Sequence, residues 1–345
     1  MTIRHIIRTS LAVAALSLAS NLAAADSPAF TRMSDIPGPD GRWDFASWDA
    51  THTRVIVAHG NDVLLVDPAS PTAARAIGDI AGAHAALAIP GGNRILVSSS
   101  RDNTVRILDA VTGTQLTSIS VAADPDATVL SPDGRTAYVM GADSGAISIV
   151  DLAGMTETAR IALKPGLEVP VLFGNRMLAV NNESLSEVEV VDLATEKSVG
   201  TIPLAGCEGP TGLALADGSN LALSSCANGK AALVDLAARK VVQLLPIGLG
   251  PDTVIWDGKY HRFLVPCGKS GTLSLIGLNG RRARVAGSVK TDVSARTAAF
   301  DPVSGRVYLP AARFGPAAAG KKPDVTAGSF HIVVLSANQG GLRPS

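Results

Sequence analysis

Short apolar runs of about four to six residues punctuate this chain, broken by turn residues and repeated at a near-constant interval. Ala86-Leu87-Ala88-Ile89 is followed by Pro90-Gly91-Gly92-Asn93, a turn in which glycine and asparagine tolerate positive φ. Arg94 to Ser99 alternates and is rich in β-branched residues, which predicts a strand. Arg101-Asp102-Asn103 turns again before a third strand from Thr104 to Asp109. Val111-Thr112-Gly113 makes the next turn, and Gln115 to Val121 reads as a fourth strand. Four short antiparallel strands per unit describe one blade of a β-propeller.

The unit recurs. Leu65-Val66-Asp67, Ile107-Leu108-Asp109, Ile149-Val150-Asp151, Val190-Val191-Asp192 and Leu233-Val234-Asp235 follow one another at steps of 42, 42, 41 and 43 residues. A period of this length predicts an array of identical supersecondary units. The frame yields an all-β, seven-bladed β-propeller of four-stranded blades at about 42–80, 84–121, 125–163, 167–204, 208–247, 251–289 and 293–335. In the sixth blade the recurring Asp becomes Gly277, so the Asp is expected to be structural, a carboxylate capping the turn after the third strand. The last blade lacks a fourth strand after Leu335. Phe30 to Ile36 is predicted to supply it and close the ring, which hides open sheet edges.

Composition agrees with a turn-rich all-β domain: 46% apolar, 17% charged, with 34 Gly and 20 Pro among 345 residues. One propeller accounts for residues 26–345. Residues 1–25 read as a cleaved signal peptide: Arg4 and Arg8, an apolar stretch from Leu11 to Leu18, then Ala23-Ala24-Ala25. That stretch is too short to span a bilayer comfortably. A monomeric periplasmic protein is expected. Without the two leader arginines the chain carries 28 basic and 30 acidic residues, 28 − 30 = −2. That balance argues against a nucleic-acid footprint.

An oxidising compartment permits disulfides. Cys207 lies in the loop leading into blade five, and Cys226 ends that blade's second strand. Both positions belong to one face of a propeller, so Cys207–Cys226 is the preferred pairing. It closes a loop worth roughly 3 kcal/mol. Cys226–Cys267 between neighbouring blades is the rival.

Ser131-Pro132-Asp133-Gly134-Arg135-Thr136-Ala137-Tyr138-Val139 resembles the repeat core of the exported YVTN-repeat, YncE-like β-propellers, with Met140-Gly141 in place of the usual Thr-Asn. Trp43-Asp44, Glu208-Gly209-Pro210-Thr211-Gly212-Leu213 and Phe314-Gly315-Pro316 also look familial. The resemblance implies a seven-bladed ring over the whole mature chain. It implies no single reaction, since members are associated variously with DNA binding, lactonase-like activity and cell-surface roles.

The loop leading into each innermost strand rims one mouth of the central channel. The aligned positions are Asp44, His84, Asp126, Glu168, Pro210 with Glu208 beside it, Asp252 and Arg296, at steps of 40, 42, 42, 42, 42 and 44. His59 ends a strand on the same face. The plainest reading is structural, with each carboxylate bonded to nearby backbone. The functional reading is a small polar ligand or a divalent cation at the axis, since converging carboxylates repel unless compensated. Asp126, Glu168 and Asp252 would be the metal ligands, and an all-oxygen set suits Ca²⁺ or Mg²⁺. Such an ion could polarise a lactone carbonyl, with a carboxylate or His84 as base. A binding or scaffold module comes first, a metal-dependent lactonase second, and DNA binding last. Residues 313–329 interrupt the repeat of blade seven as a long loop on the same face, a candidate lid or partner-binding arm in which Lys321 and Lys322 could meet an anion.

Overall fold

The computed structural model describes residues 30–338, apart from 71–73, 318–319 and 321. The expected signal peptide lies outside the described residues. The chain forms a ring of seven antiparallel sheets. Blade two shows the pattern: Ala83–Ala88, Arg94–Ser99, Thr104–Asp109 and Gln115–Ser120, each hydrogen-bonded to the next. Innermost strands begin at Ala46, Ala83, Pro125, Leu167, Pro210, Ile255 and Ala299, close to the frame set by the repeat.

The recurring Asp does what its position predicts. Asp109 Oδ1 accepts the amides of Val111 and Thr112 at 2.9 and 2.7 Å. Asp67, Asp151, Asp192 and Asp235 accept turn amides in the same way. In blades one and seven the turn after the innermost strand carries the same device, at Asp49 and Asp301.

Apolar side chains from both faces of each sheet meet those of the neighbouring blades. Seven buried clusters result, one at each blade–blade junction. Val57, Trp43, Tyr308 and Phe330 fill the junction of blades one and seven. Closure comes from the N-terminal segment. Phe30–Arg32 pairs antiparallel with His331–Ala337, with Phe30 opposite Ala337 and Arg32 opposite Leu335. Ile36–Pro37 adds a second short pairing to the same strand. Arg32 then clamps Asp35 and Asp292 at 2.5 and 2.7 Å, tying this segment to the junction of blades six and seven.

Cys207 and Cys226 form the disulfide, with Cα atoms 5.5 Å apart. Cys267 is a buried free thiol packed in the junction of blades five and six. The rival pairing is thereby excluded. Among the described residues no helix is long and apolar enough to cross a membrane.

Candidate functional site

In four blades the rim position sits inside a break of strand register. The pairing of the innermost with the second strand shifts between Ala83 and Ala86, Pro125 and Thr128, Leu167 and Pro170, and Pro210 and Leu213. His84, Asp126 and Glu168 fall within three of these irregularities; in the fourth it is Thr211, one residue past the expected Pro210, which itself pairs with Cys226. A bulge adds a residue to one strand and re-aims its side chain. In blades one, six and seven the innermost strand starts later, and Asp44, Asp252 and Arg296 stand in the preceding loop.

The rim residues form one linked charge network. His84 Nδ1 lies 2.7 Å from Asp44 Oδ2 and 3.4 Å from Asp126 Oδ1. Arg296 pairs through Nε with Asp252 and stands 3.5 Å from Asp44 through Nη2. The same Nη2 donates to the Trp43 carbonyl at 3.0 Å. Asp126 and Asp44 push the His84 imidazole up to about 10, so it is cationic at neutral pH. Burial raises Asp126, opposed by His84. Glu168 is pushed up to about 9, first by burial and then by Asp126, Glu183, Asp252 and Asp44, so it holds its proton at neutral pH. Burial also lifts Asp252 to about 6, against the pull of Arg296. The mouth thus limits its own charge with one imidazolium, one guanidinium and a protonated glutamic acid.

Among the described residues, Asp44, His84 and Asp126 offer donor atoms within 4.8 Å of one another. Glu168 and Asp252, expected beside Asp126 as metal ligands, do not join that group. Glu168 keeps apart, and Asp252 is engaged by Arg296. Two other expectations shift. Glu208 is exposed, and Glu183 is among the main charges that raise Glu168 and Asp252. His59 turns away from the ring, with Nδ1 at 2.9 Å from Asp62 and its imidazole edge-on to Phe330 at 5.1 Å.

The 313–329 loop folds back on itself across an isolated bridge between Phe314 and Val325. Gly315 donates to the Asp324 carbonyl and Thr326 to the Arg313 carbonyl, at 2.9 and 2.8 Å. Asp40 anchors its far end by accepting the amides of Gly328, Ser329 and Phe330 at 2.5, 3.1 and 3.1 Å. Phe314 packs on Trp43, ring centroids 5.9 Å apart, and Arg42 donates to the Pro323 carbonyl. Phe314 and Arg296 together separate two cavities. One, of about 390 Å³, opens toward blades one and two and is lined by Arg42, Trp43, Asp44, His84, Arg101 and Lys322. The other, of about 540 Å³, opens toward blades five and six and includes Glu183, Asp252 and Lys269.

Arg101, Glu183 and Lys269 lie outside the strands' leading loops. They occupy turns between second and third strands, on the same face of the ring. They fall one or two residues past the end of a second strand, just beyond the position that His59 holds in blade one.

No family model matches the chain, and no curated protein matches it. Among solved structures, one of Kuenenia stuttgartiensis hydrazine synthase superposes with a TM-score of 0.66 at 16% identity, covering 80% of this chain and 93% of that one. A chain of the mitotic checkpoint complex superposes with a TM-score of 0.71 at 14% identity, covering 94% of this chain and 98% of that one. At such identities the likeness establishes the seven-bladed propeller fold.

Proposed function

We propose that this propeller is an exported binding protein that takes a small acidic ligand at the channel mouth. One observation carries the reading. The cavity of about 390 Å³ is lined by four cationic side chains, Arg42, Arg101, Arg296 and Lys322, against a single carboxylate, Asp44. The imidazolium of His84 adds to that excess. Trp43 and Phe314 supply apolar walls. Such a concave site, part apolar with a few fixed polar groups, suits a carboxylate or phosphate on a small organic body. Export is supported by the leader read at residues 1–25 and by the Cys207–Cys226 bridge, which persists in oxidising compartments. The YncE-like resemblance of the Ser131–Val139 repeat points the same way.

Calorimetric titration with succinate, citrate and inorganic phosphate tests this. Saturable binding should weaken about tenfold in Arg101→Ala or Lys322→Ala, the loss expected for one charged hydrogen bond. It should also weaken with added salt. No binding by any of the three, or binding indifferent to both substitutions, would sink the proposal. Hydrolysis of a lactone at the same place is the second reading, favoured by the Asp44–His84–Asp126 group beside the cavity. Turnover of a simple lactone, abolished in Asp126→Asn, is its measurement.

A further inference from the structure

We infer that Asp44, His84 and Asp126 form a binding site for one divalent first-row transition cation, of the Mn²⁺ or Zn²⁺ class. The inference deepens the ligand-binding reading, since the cation would stand at the inner wall of the same cavity.

The geometry fits an ion. Donors held about 2.0–2.2 Å from a shared metal lie about 3 Å from one another. His84 Nδ1 stands 2.7 Å from Asp44 Oδ2 and 3.4 Å from Asp126 Oδ1, and all three donors fall within 4.8 Å. An imidazole nitrogen with two carboxylate oxygens suits Mn²⁺ or Zn²⁺ better than Ca²⁺, which prefers oxygen alone. The donors come from three adjacent blades, so the ring fixes their spacing. Two of them, His84 and Asp126, are set by strand irregularities at matching positions.

A second observation points to an occupant. Asp126 Oδ1 is enclosed by protein and accepts no hydrogen bond. Its one close partner is the His84 imidazole at 3.4 Å, and a buried carboxylate oxygen so loosely held is costly. The contrast with the ring's other Asp–Asp–His group is instructive. Asp35, Asp292 and His331 also gather their donors within 4.8 Å. There Arg32 fills the centre, reaching Asp292 at 2.7 Å and Asp35 at 2.5 Å, while His331 Nε2 lies 2.8 Å from Asp292. That group is satisfied by a guanidinium. At the mouth the nearest guanidinium, Arg296, reaches only Asp44 of the three, at 3.5 Å. Asp126 is left facing the imidazole alone. A cation between the three donors would satisfy it, and His84 would ligate through Nδ1 in its neutral form. Ligands from the cavity would complete the coordination.

The test is titration of chelator-treated, full-length mature protein with Mn²⁺, Zn²⁺ and Ca²⁺, followed by calorimetry and thermal unfolding. Co²⁺ serves as a spectroscopic probe of nitrogen ligation. One equivalent of Mn²⁺ or Zn²⁺ should bind, at least about tenfold more tightly than Ca²⁺. Asp126→Asn and His84→Gln should each weaken it about a hundredfold, the order expected for a lost ligand. Asp292→Asn should leave it unchanged. Circular dichroism of each variant confirms folding. Failure of both transition ions to bind, or binding lost in Asp292→Asn and kept in Asp126→Asn, would overturn the inference. If metal fails and succinate, citrate or phosphate still binds, the cation site falls and the acidic-ligand reading survives.

Discussion

Arg296 donates through Nη2 to the carbonyl of Trp43 at 3.0 Å, across the seam between the last blade and the first. The guanidinium also lies 5.8 Å from the Trp43 ring centroid, and the neighbouring Thr297 hydroxyl donates to the Asp44 carbonyl at 2.7 Å. The ring is therefore closed twice, at its outer edge by the Phe30–Arg32 strand and at its channel mouth by Arg296. The same side chain pairs with Asp252 and lines both cavities. Arg296→Ala should lower stability by about 2 kcal/mol, the scale of a charged hydrogen bond lost from a partly buried site. Arg296→Lys should recover the charge but not the forked donation, and so only part of the loss. Denaturant midpoints of the two variants check this. A Lys midpoint equal to the parent's would show that charge alone matters, and one equal to that of Arg296→Ala would show that charge contributes nothing.

Glu168 sets a pH dependence whose sign can be worked out. Its carboxyl ordinarily ionises near 4.5 and is pushed up to about 9 in the fold. Between those values the folded state holds a proton that the unfolded chain releases, so stability falls as pH rises through that window. Glu168→Gln removes this loss. The variant should match the parent at pH 4, exceed it from pH 6 upward, and reach its full advantage near pH 9. The advantage should be on the order of a few kcal/mol, at about 1.4 kcal/mol per tenfold change in proton affinity. Unfolding curves from pH 4 to 9 measure it. An advantage that does not grow with pH would show that Glu168 is ionised throughout.

The Cys207–Cys226 bridge spans 19 residues of chain. Opening it should cost roughly 3 kcal/mol. Cys207→Ala and treatment of the parent with reductant should give similar losses, and reductant should add nothing to the variant. Cys267→Ala removes one buried sulfur and should cost about 1 kcal/mol. Thermal unfolding of the two variants with and without reductant separates the cases.

Asp40 anchors the long loop through three backbone amides, and those bonds hold its carboxyl below its usual range. Asp40→Ala should speed proteolytic cleavage within 313–329 while leaving the blade cores resistant. A group with a depressed value contributes above its ordinary value and loses that contribution as pH falls. Acidification should therefore loosen the loop in the parent as well. Mass-spectrometric mapping of early cleavage sites reads both effects. Cleavage scattered through the blades would argue against an anchoring role.

The sequence by itself determined the architecture. The strand alternation, the turns and the recurring Asp are local features, and each acts over a few residues wherever the blade stands. The return from Asp67 to Asp235 therefore set the frame from which seven blades are counted and gave the Asp its turn-capping role. The unpaired Phe30 segment sufficed to place ring closure. Tertiary structure decided the site. A rim residue is carried by a one-residue strand irregularity in four blades and by the preceding loop in the other three, a difference that no periodicity records. Glu208, beside the aligned Pro210, is exposed, whereas Glu183, from a different turn, acts on Glu168 and Asp252. Asp252 is taken up by Arg296 from the next blade, which leaves Asp126 to group with His84 and Asp44. These pairings are set by distances between blades some 40 residues apart in the chain, and such distances arise only when the ring closes.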